Sequence, residues 1–91
     1  MMYALSYTPA AEKDMSFLKY NQPKAYKKLV GLLNELMEHP RTGTGHPEQL
    51  KGDRSGQWSR TITKKHRLVY AINDDTVVVL AIAAYGHYND K

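Results

Sequence analysis

QWSRTITKKHRLVYAINDDTVVVLAIAA, residues 57–84, is the stretch that decides the fold. From Gln57 onward the residues alternate, with Trp58, Arg60 and Ile62 on one side and Ser59, Thr61 and Thr63 on the other. That period of two is the signature of a strand. A turn at Lys64-Lys65 reverses the chain into a second alternating run, His66 to Asn73. There Leu68, Tyr70 and Ile72 face one way, and Arg67, Val69 and Ala71 the other. Asn73-Asp74-Asp75 has the composition of the next turn. The run from Val77 to Ala84 is apolar throughout, so its strand is covered on both faces or lies centrally in its sheet. Three strands joined by short turns read as an antiparallel meander.

The central strand needs a neighbour on its other edge, and the N-terminus supplies one. Met2 to Tyr7 reads as a short strand with Tyr3, Leu5 and Tyr7 on one face. Thr8-Pro9 then starts a helix, because Thr8 can cap free backbone N–H groups and proline suits the first helical position. Ala11, Met15 and Leu18 follow the spacing of a buried stripe. Tyr20-Asn21-Gln22-Pro23 ends that helix and begins another, again with a polar cap ahead of proline. Ala25, Leu29, Leu32, Leu33 and Leu36 line one face of the second helix, while Lys24, Lys27, Lys28 and Glu35 lie mostly elsewhere. So short a connection predicts an antiparallel helical hairpin. His39-Pro40 is expected to end the second helix, since a residue before proline resists helical geometry. Arg41 to Gly56, with four glycines and Pro47, reads as a loop long enough to be functional. The expectation is an α+β fold with strand order first, last, third, second, and the hairpin on one face.

At 91 residues the chain reads as a single domain, residues 1–91, with a thin core. It has no cysteine, so disulfide frameworks and thiolate metal sites are excluded. No secretory leader is visible, and no apolar run approaches the roughly 20 residues needed to span a bilayer. A cytoplasmic protein without a membrane partner is expected. Net charge is +4, and it is concentrated: residues 41–70 hold seven Lys/Arg against two Asp/Glu. Such a segment suits a polyanion, nucleic acid first, or is simply a solvated surface.

His39, His46, His66 and His87 show no ligand-like spacing and no acidic cluster, so neither a metal nor another cofactor is indicated. Gly43-Thr44-Gly45 opens no helix and offers no nucleotide-binding loop. RNA cleavage needs no metal if the 2′-hydroxyl attacks the adjacent phosphate. That reaction calls for a base, a cationic stabiliser and an acid for the leaving 5′-oxygen. Glu48 is one of only two acids in the basic third, and the other, Asp53, sits in a turn-like Gly-Asp-Arg-Ser-Gly. Arg67 lies on the strand face opposite Leu68, Tyr70 and Ile72, where its fork can hold a phosphate or form a cross-strand ion pair. His87 can exchange protons near neutral pH and Tyr88 can stack a base or donate its hydroxyl, though both also fit an ordinary tail. Taken singly, none of these signals is specific.

Together they are. Pro47-Glu48-Gln49-Leu50-Lys51, Ser55-Gly56-Gln57-Trp58-Ser59-Arg60, His66-Arg67-Leu68-Val69-Tyr70 and Gly86-His87-Tyr88 strongly resemble the YoeB/Txe toxins of bacterial toxin–antitoxin systems. Those toxins fall in the RelE superfamily, whose members cut messenger RNA, typically in the ribosomal decoding site. The resemblance implies a RelE-like fold and a ribosome-dependent, metal-independent endoribonuclease leaving a 2′,3′-cyclic or 3′-phosphate. It makes Glu48 the general base, Arg67 the transition-state cation, and His87 with Tyr88 the groups on the leaving side. Lys51 and Arg60 fall where the family is basic and are assigned to RNA contacts. It further implies a YefM/Axe-like antitoxin, contact with ribosome and mRNA, a homodimer, and operator DNA binding only through the antitoxin complex.

Three positions depart from the pattern. Thr61 stands where a second arginine is common, which would remove a backbone contact. Lys64-Lys65 replaces a turn that is often acidic and is assigned to RNA docking. The tail continues past Tyr88 through Asn89-Asp90-Lys91. A different class of function, a toxin of this fold that blocks a protein target as the gyrase-poisoning relatives do, would need no such catalytic set. A non-toxic RNA-binding module is the third reading.

Overall fold

Proline and a capping threonine set the first helix, as their order in the chain predicts. In the computed structural model, which describes residues 2–52, 55–74 and 78–83 (the last by backbone alone), β1 (Ala4–Tyr7) leads directly into α1 (Pro9–Asn21). The Thr8 hydroxyl accepts from the Ala11 amide at 3.0 Å, and Pro9 occupies the first turn. The amide of Gln22 closes α1 by donating to Leu18 O at 2.8 Å, and Pro23 restarts the chain as α2 (Pro23–Leu36). The expected polar cap on α2 does not form. Gln22 makes no side-chain capping bond; its Oε1 lies 3.2 Å from Nε2 of the buried His66.

The second helix also stops earlier than proline alone requires. It ends at Leu36, four residues before Pro40, with Met37 N donating to Asn34 O and His39 N to Glu35 O.

The remaining strands are β2 (Glu48–Gln49), β3 (Gln57–Thr61), β4 (Arg67–Asn73) and β5 (Val78–Ala83). Among the described residues they form one sheet in the order β1-β5-β4-β3-β2. β3, β4 and β5 make the expected antiparallel meander, and β1 lies parallel to β5 on its far edge. The predicted order therefore holds, with one addition. The segment read as pure loop contains a two-residue strand, β2, which pairs Glu48 with Ser59 and Gln49 with Trp58. A register shift opposite Val69 and Tyr70, where β5 advances two residues for one on β4, marks a bulge.

Helices and sheet meet through the alternation seen in the sequence. Ala11, Leu18, Ala25, Leu29, Leu32, Leu33 and Leu36 from the helices pack with Ile62, Leu68 and Tyr70 from the sheet. Burying a leucine side chain contributes about 1.5–3 kcal/mol, so the α2 leucines dominate this layer. The opposite face of the sheet carries Ser59, Thr61, Arg67 and Val69.

A cluster at the sheet end ties three distant segments together. Tyr3 Oη donates to Asp74 Oδ1 at 2.6 Å, while Arg41 Nη2 reaches Asp74 Oδ2 at 2.7 Å. The Arg41 hydrogen bond holds the Asp74 carboxyl below its ordinary range. All three groups are partly or fully exposed, so screening by solvent keeps this cluster a minor contributor.

Candidate catalytic face

Cross-strand register decides which side chains share a face. Directly opposed residues of an antiparallel pair point the same way, and residues two apart on a strand do so as well. Glu48 opposes Ser59, Ser59 opposes Val69, and Thr61 opposes Arg67. Glu48, Ser59, Thr61, Arg67 and Val69 therefore lie on one face, away from the helices. Glu48 is exposed and Arg67 half-buried. Two strand spacings of about 4.8 Å and two residues of about 3.4 Å put their backbones about 12 Å apart. Between them Ser59 and Val69 are buried, so the two long side chains flank a covered floor.

Arg67 is held by one side-chain contact among the described residues: its Nη1 donates to Thr61 Oγ1 at 3.3 Å. The guanidinium has five N–H donors, so most of the fork remains for a phosphate. Among the described residues no cross-strand ion pair engages it. Between Glu48 and Val69 the Ser59 hydroxyl is wholly buried, with no hydrogen-bond partner among the described residues.

The loop that delivers Glu48 is fastened from below. Thr61 N donates to Gly45 O at 2.7 Å, and Leu50 N donates to Gln57 O at 2.9 Å, bracketing β2 on both sides. Gly45 has φ +85, and a Cβ there would meet Thr61 O at 3.0 Å and Arg60 Cβ at 3.2 Å. Both the left-handed backbone and the close approach require glycine at this position.

Arg60 has a different role from the RNA contact expected of it. It is 0 % exposed and sits on the helix side of β3 with Trp58 and Ile62, as its own alternation dictates. Its Nε donates to Tyr70 Oη at 3.1 Å; Nη1 donates to Glu35 Oε1 and to Thr44 O at 3.2 Å. Nη2 donates to His39 O and to Thr42 O at 2.8 Å. All five N–H groups of a guanidinium are thus occupied, and none remains for a phosphate. The assignment of Arg60 to RNA binding is corrected accordingly: it is a buried tie between the sheet, α2 and the loop ahead of Glu48.

Glu35 and Tyr70 complete that tie. Glu35 Oε1 accepts from the Thr44 amide at 2.7 Å, and Oε2 from the Thr44 hydroxyl at 3.1 Å. The Thr44 amide bond first, with help from Arg60, holds the Glu35 carboxyl below its ordinary value of 4.5. Tyr70 donates to Pro40 O at 2.8 Å, and its burial raises the phenol above its usual range. The helical pattern placed Glu35 off the apolar face of α2 and gave it no partner. The signal that finds this network is a charged residue in the apolar register of β3, because such a group must be paired inside.

Two predictions arise from this network. Tyr70→Phe removes an acceptor from Arg60 Nε and a donor from Pro40 O, so urea unfolding should show a loss of about 1–3 kcal/mol. The lowered Glu35 pKa means the folded state favours the ionised form. Its contribution is present above 4.5 and is lost as pH falls through the native-state value. The urea midpoint should therefore drop in acid, and Glu35→Gln should flatten that drop.

The other expected residues divide cleanly. Lys51 is exposed just beyond β2. Lys64 and Lys65 are exposed in the β3–β4 turn, which Thr63 closes by accepting from the amides of Lys65 at 3.1 Å and His66 at 3.2 Å. His87 and Tyr88 lie outside the described residues, as do Asp53 and the extension after Tyr88.

Residues 7–88 match the model of the YoeB-like toxin of bacterial type II toxin–antitoxin systems. The toxin YoeB of Mycobacterium bovis is 38% identical over 79 residues, covering 87% of this chain and 93% of that protein. The solved YoeB/ParE toxin of Agrobacterium tumefaciens superposes with a TM-score of 0.88 at 33% identity, covering 93% of this chain and 99% of the other. YoeB of Staphylococcus aureus, solved as a dimer and in a YoeB–YefM complex, superposes at 0.83 and 0.82 with 30% identity, covering 97% of this chain and 100% of those chains. With the helical hairpin and the sheet order in place, the chain belongs to the YoeB-like toxins of bacterial type II toxin–antitoxin systems.

Proposed function

We propose that this protein is a ribosome-dependent endoribonuclease that cleaves messenger RNA without a metal ion. The observation that carries the reading is the shared face of Glu48 and Arg67, set by the β2–β3–β4 register. Glu48 removes the 2′-hydroxyl proton, and the oxyanion attacks the adjacent phosphorus. Arg67 neutralises the charge that builds on the phosphorane. His87 and Tyr88 orient and protonate the leaving 5′-oxygen. Lys51, with Lys64 and Lys65 in the exposed turn, contacts the RNA backbone.

The family and the YoeB–YefM structures support an antitoxin of the YefM type as the inhibitory partner, and the dimer structure supports self-association. An acidic antitoxin segment fits the basic middle third of the chain, with operator DNA engaged only through that complex. The site of action is the cytoplasm, where ribosomes and mRNA meet. Sequencing transcript 5′ ends shortly after induction tests the reading. New ends at codon-linked positions are expected; growth arrest with intact transcripts would instead favour a toxin that acts by binding a protein.

A further inference from the structure

Thr61 stands where the family resemblance leads one to expect an arginine, and the structure shows what this chain does with the position. We infer that Thr61 is a positioning residue for Arg67. This rests on the assignment of Arg67 to the reacting phosphate.

Thr61 is bonded both to the loop that delivers Glu48 and to Arg67. Its amide donates to Gly45 O at 2.7 Å, three residues before Glu48. Its hydroxyl accepts from Arg67 Nη1 at 3.3 Å, directly across the β3–β4 ladder. Thr61 is itself half-buried, which shields the bond from competing water. A single guanidinium hydrogen taken by a neighbour restricts rotation of a flexible side chain and leaves the rest of the fork for a phosphate. An arginine here would add a cation instead, and it could not accept a hydrogen bond from Arg67. This chain has one directed cation where a two-arginine site has two.

The length of the bond sets the size of the effect. At 3.3 Å it is at the long end for N–H···O, so it orients rather than anchors. Losing it should cost about tenfold in rate, far less than losing Arg67 itself.

Thr61→Val keeps the shape, the strand propensity and the amide bond to Gly45, and removes only the acceptor. Purified full-length variants are assayed for single-turnover cleavage on mRNA-programmed ribosomes. For Thr61→Val the rate at saturation should fall about tenfold, while half-saturation and thermal midpoint stay within about twofold and about one degree. Thr61→Ser, which restores the hydroxyl, should recover the wild-type rate. In an Arg67→Ala background, Thr61→Val should cause no further loss. An undiminished rate in Thr61→Val, a Thr61→Ser as slow as it, or an additive loss on Arg67→Ala would each overturn the inference. A wild-type chain that leaves mRNA intact would remove the nuclease reading itself; an active wild type with an equally active Thr61→Val would remove only the role of Thr61.

Discussion

Arg67→Ala is expected to lower mRNA cleavage by about 10²–10³-fold without loosening the fold, the loss typical of removing one preorganised donor from a developing oxyanion. The reason lies in how little else Arg67 does. Its side chain is half-buried on the outer face and, among the described residues, makes one bond of 3.3 Å to Thr61. Removing it leaves no buried group unpaired, so urea unfolding should change by less than about 0.5 kcal/mol. Arg67→Lys should recover part of the activity, because an ammonium supplies charge but not the two-pronged geometry that fits phosphate. Single-turnover cleavage measured alongside the unfolding midpoint separates the two effects.

Glu35→Ala should do the reverse. It strands the Arg60 guanidinium, which is 0 % exposed, without its one charged partner among the described residues. Breaking a fully buried pair from one side costs about 3–5 kcal/mol; Glu35 is 29 % exposed, so the loss should lie at or below the low end of that range, still a sizeable share of the roughly 5–15 kcal/mol that holds a typical domain folded. Truncating Arg60 should also be severe, for a separate reason: the carbonyls of His39, Thr42 and Thr44 lose a common donor. Replacing both partners by apolar residues would not rescue the fold, because those three carbonyls remain unsatisfied. Urea unfolding of Glu35→Ala, set beside Arg67→Ala, should show stability lost in one and activity lost in the other. Equal stability in Glu35→Ala and wild type would remove the buried tie from this account.

The contrast between the two arginines also explains how much could be read from the chain. Period-two alternation announced β3 and β4, and the Val77–Ala84 run placed the last strand between β4 and β1. Both helix starts followed from a proline behind a polar residue. β2 was hidden because two residues in a glycine-rich loop carry no periodicity; their strand character comes from pairing with Ser59 and Trp58. Gln22 looked like a cap, yet a tertiary neighbour, His66, took its side chain.

Arg60 was the instructive miss. Its position between Trp58 and Ile62 already directed it inward, but its charge and the family resemblance pointed toward RNA. The partners that make an inward arginine tolerable are spread over residues 35, 39, 42, 44 and 70, too far apart in the chain to be seen together. Glu48 and Arg67 were legible as types and as a family pattern. That they share a face needed the register of β2, which only the structure supplies.

The most direct test of the central claim is the chemistry of the ends left by purified protein on mRNA-programmed ribosomes. Attack by the 2′-hydroxyl under Glu48 and Arg67 predicts 5′-hydroxyl fragments paired with 2′,3′-cyclic or 3′-phosphate ends, and their loss in Glu48→Gln while ribosome binding persists. Fragments bearing 5′-phosphates, or an unchanged cleavage pattern in Glu48→Gln, would contradict it.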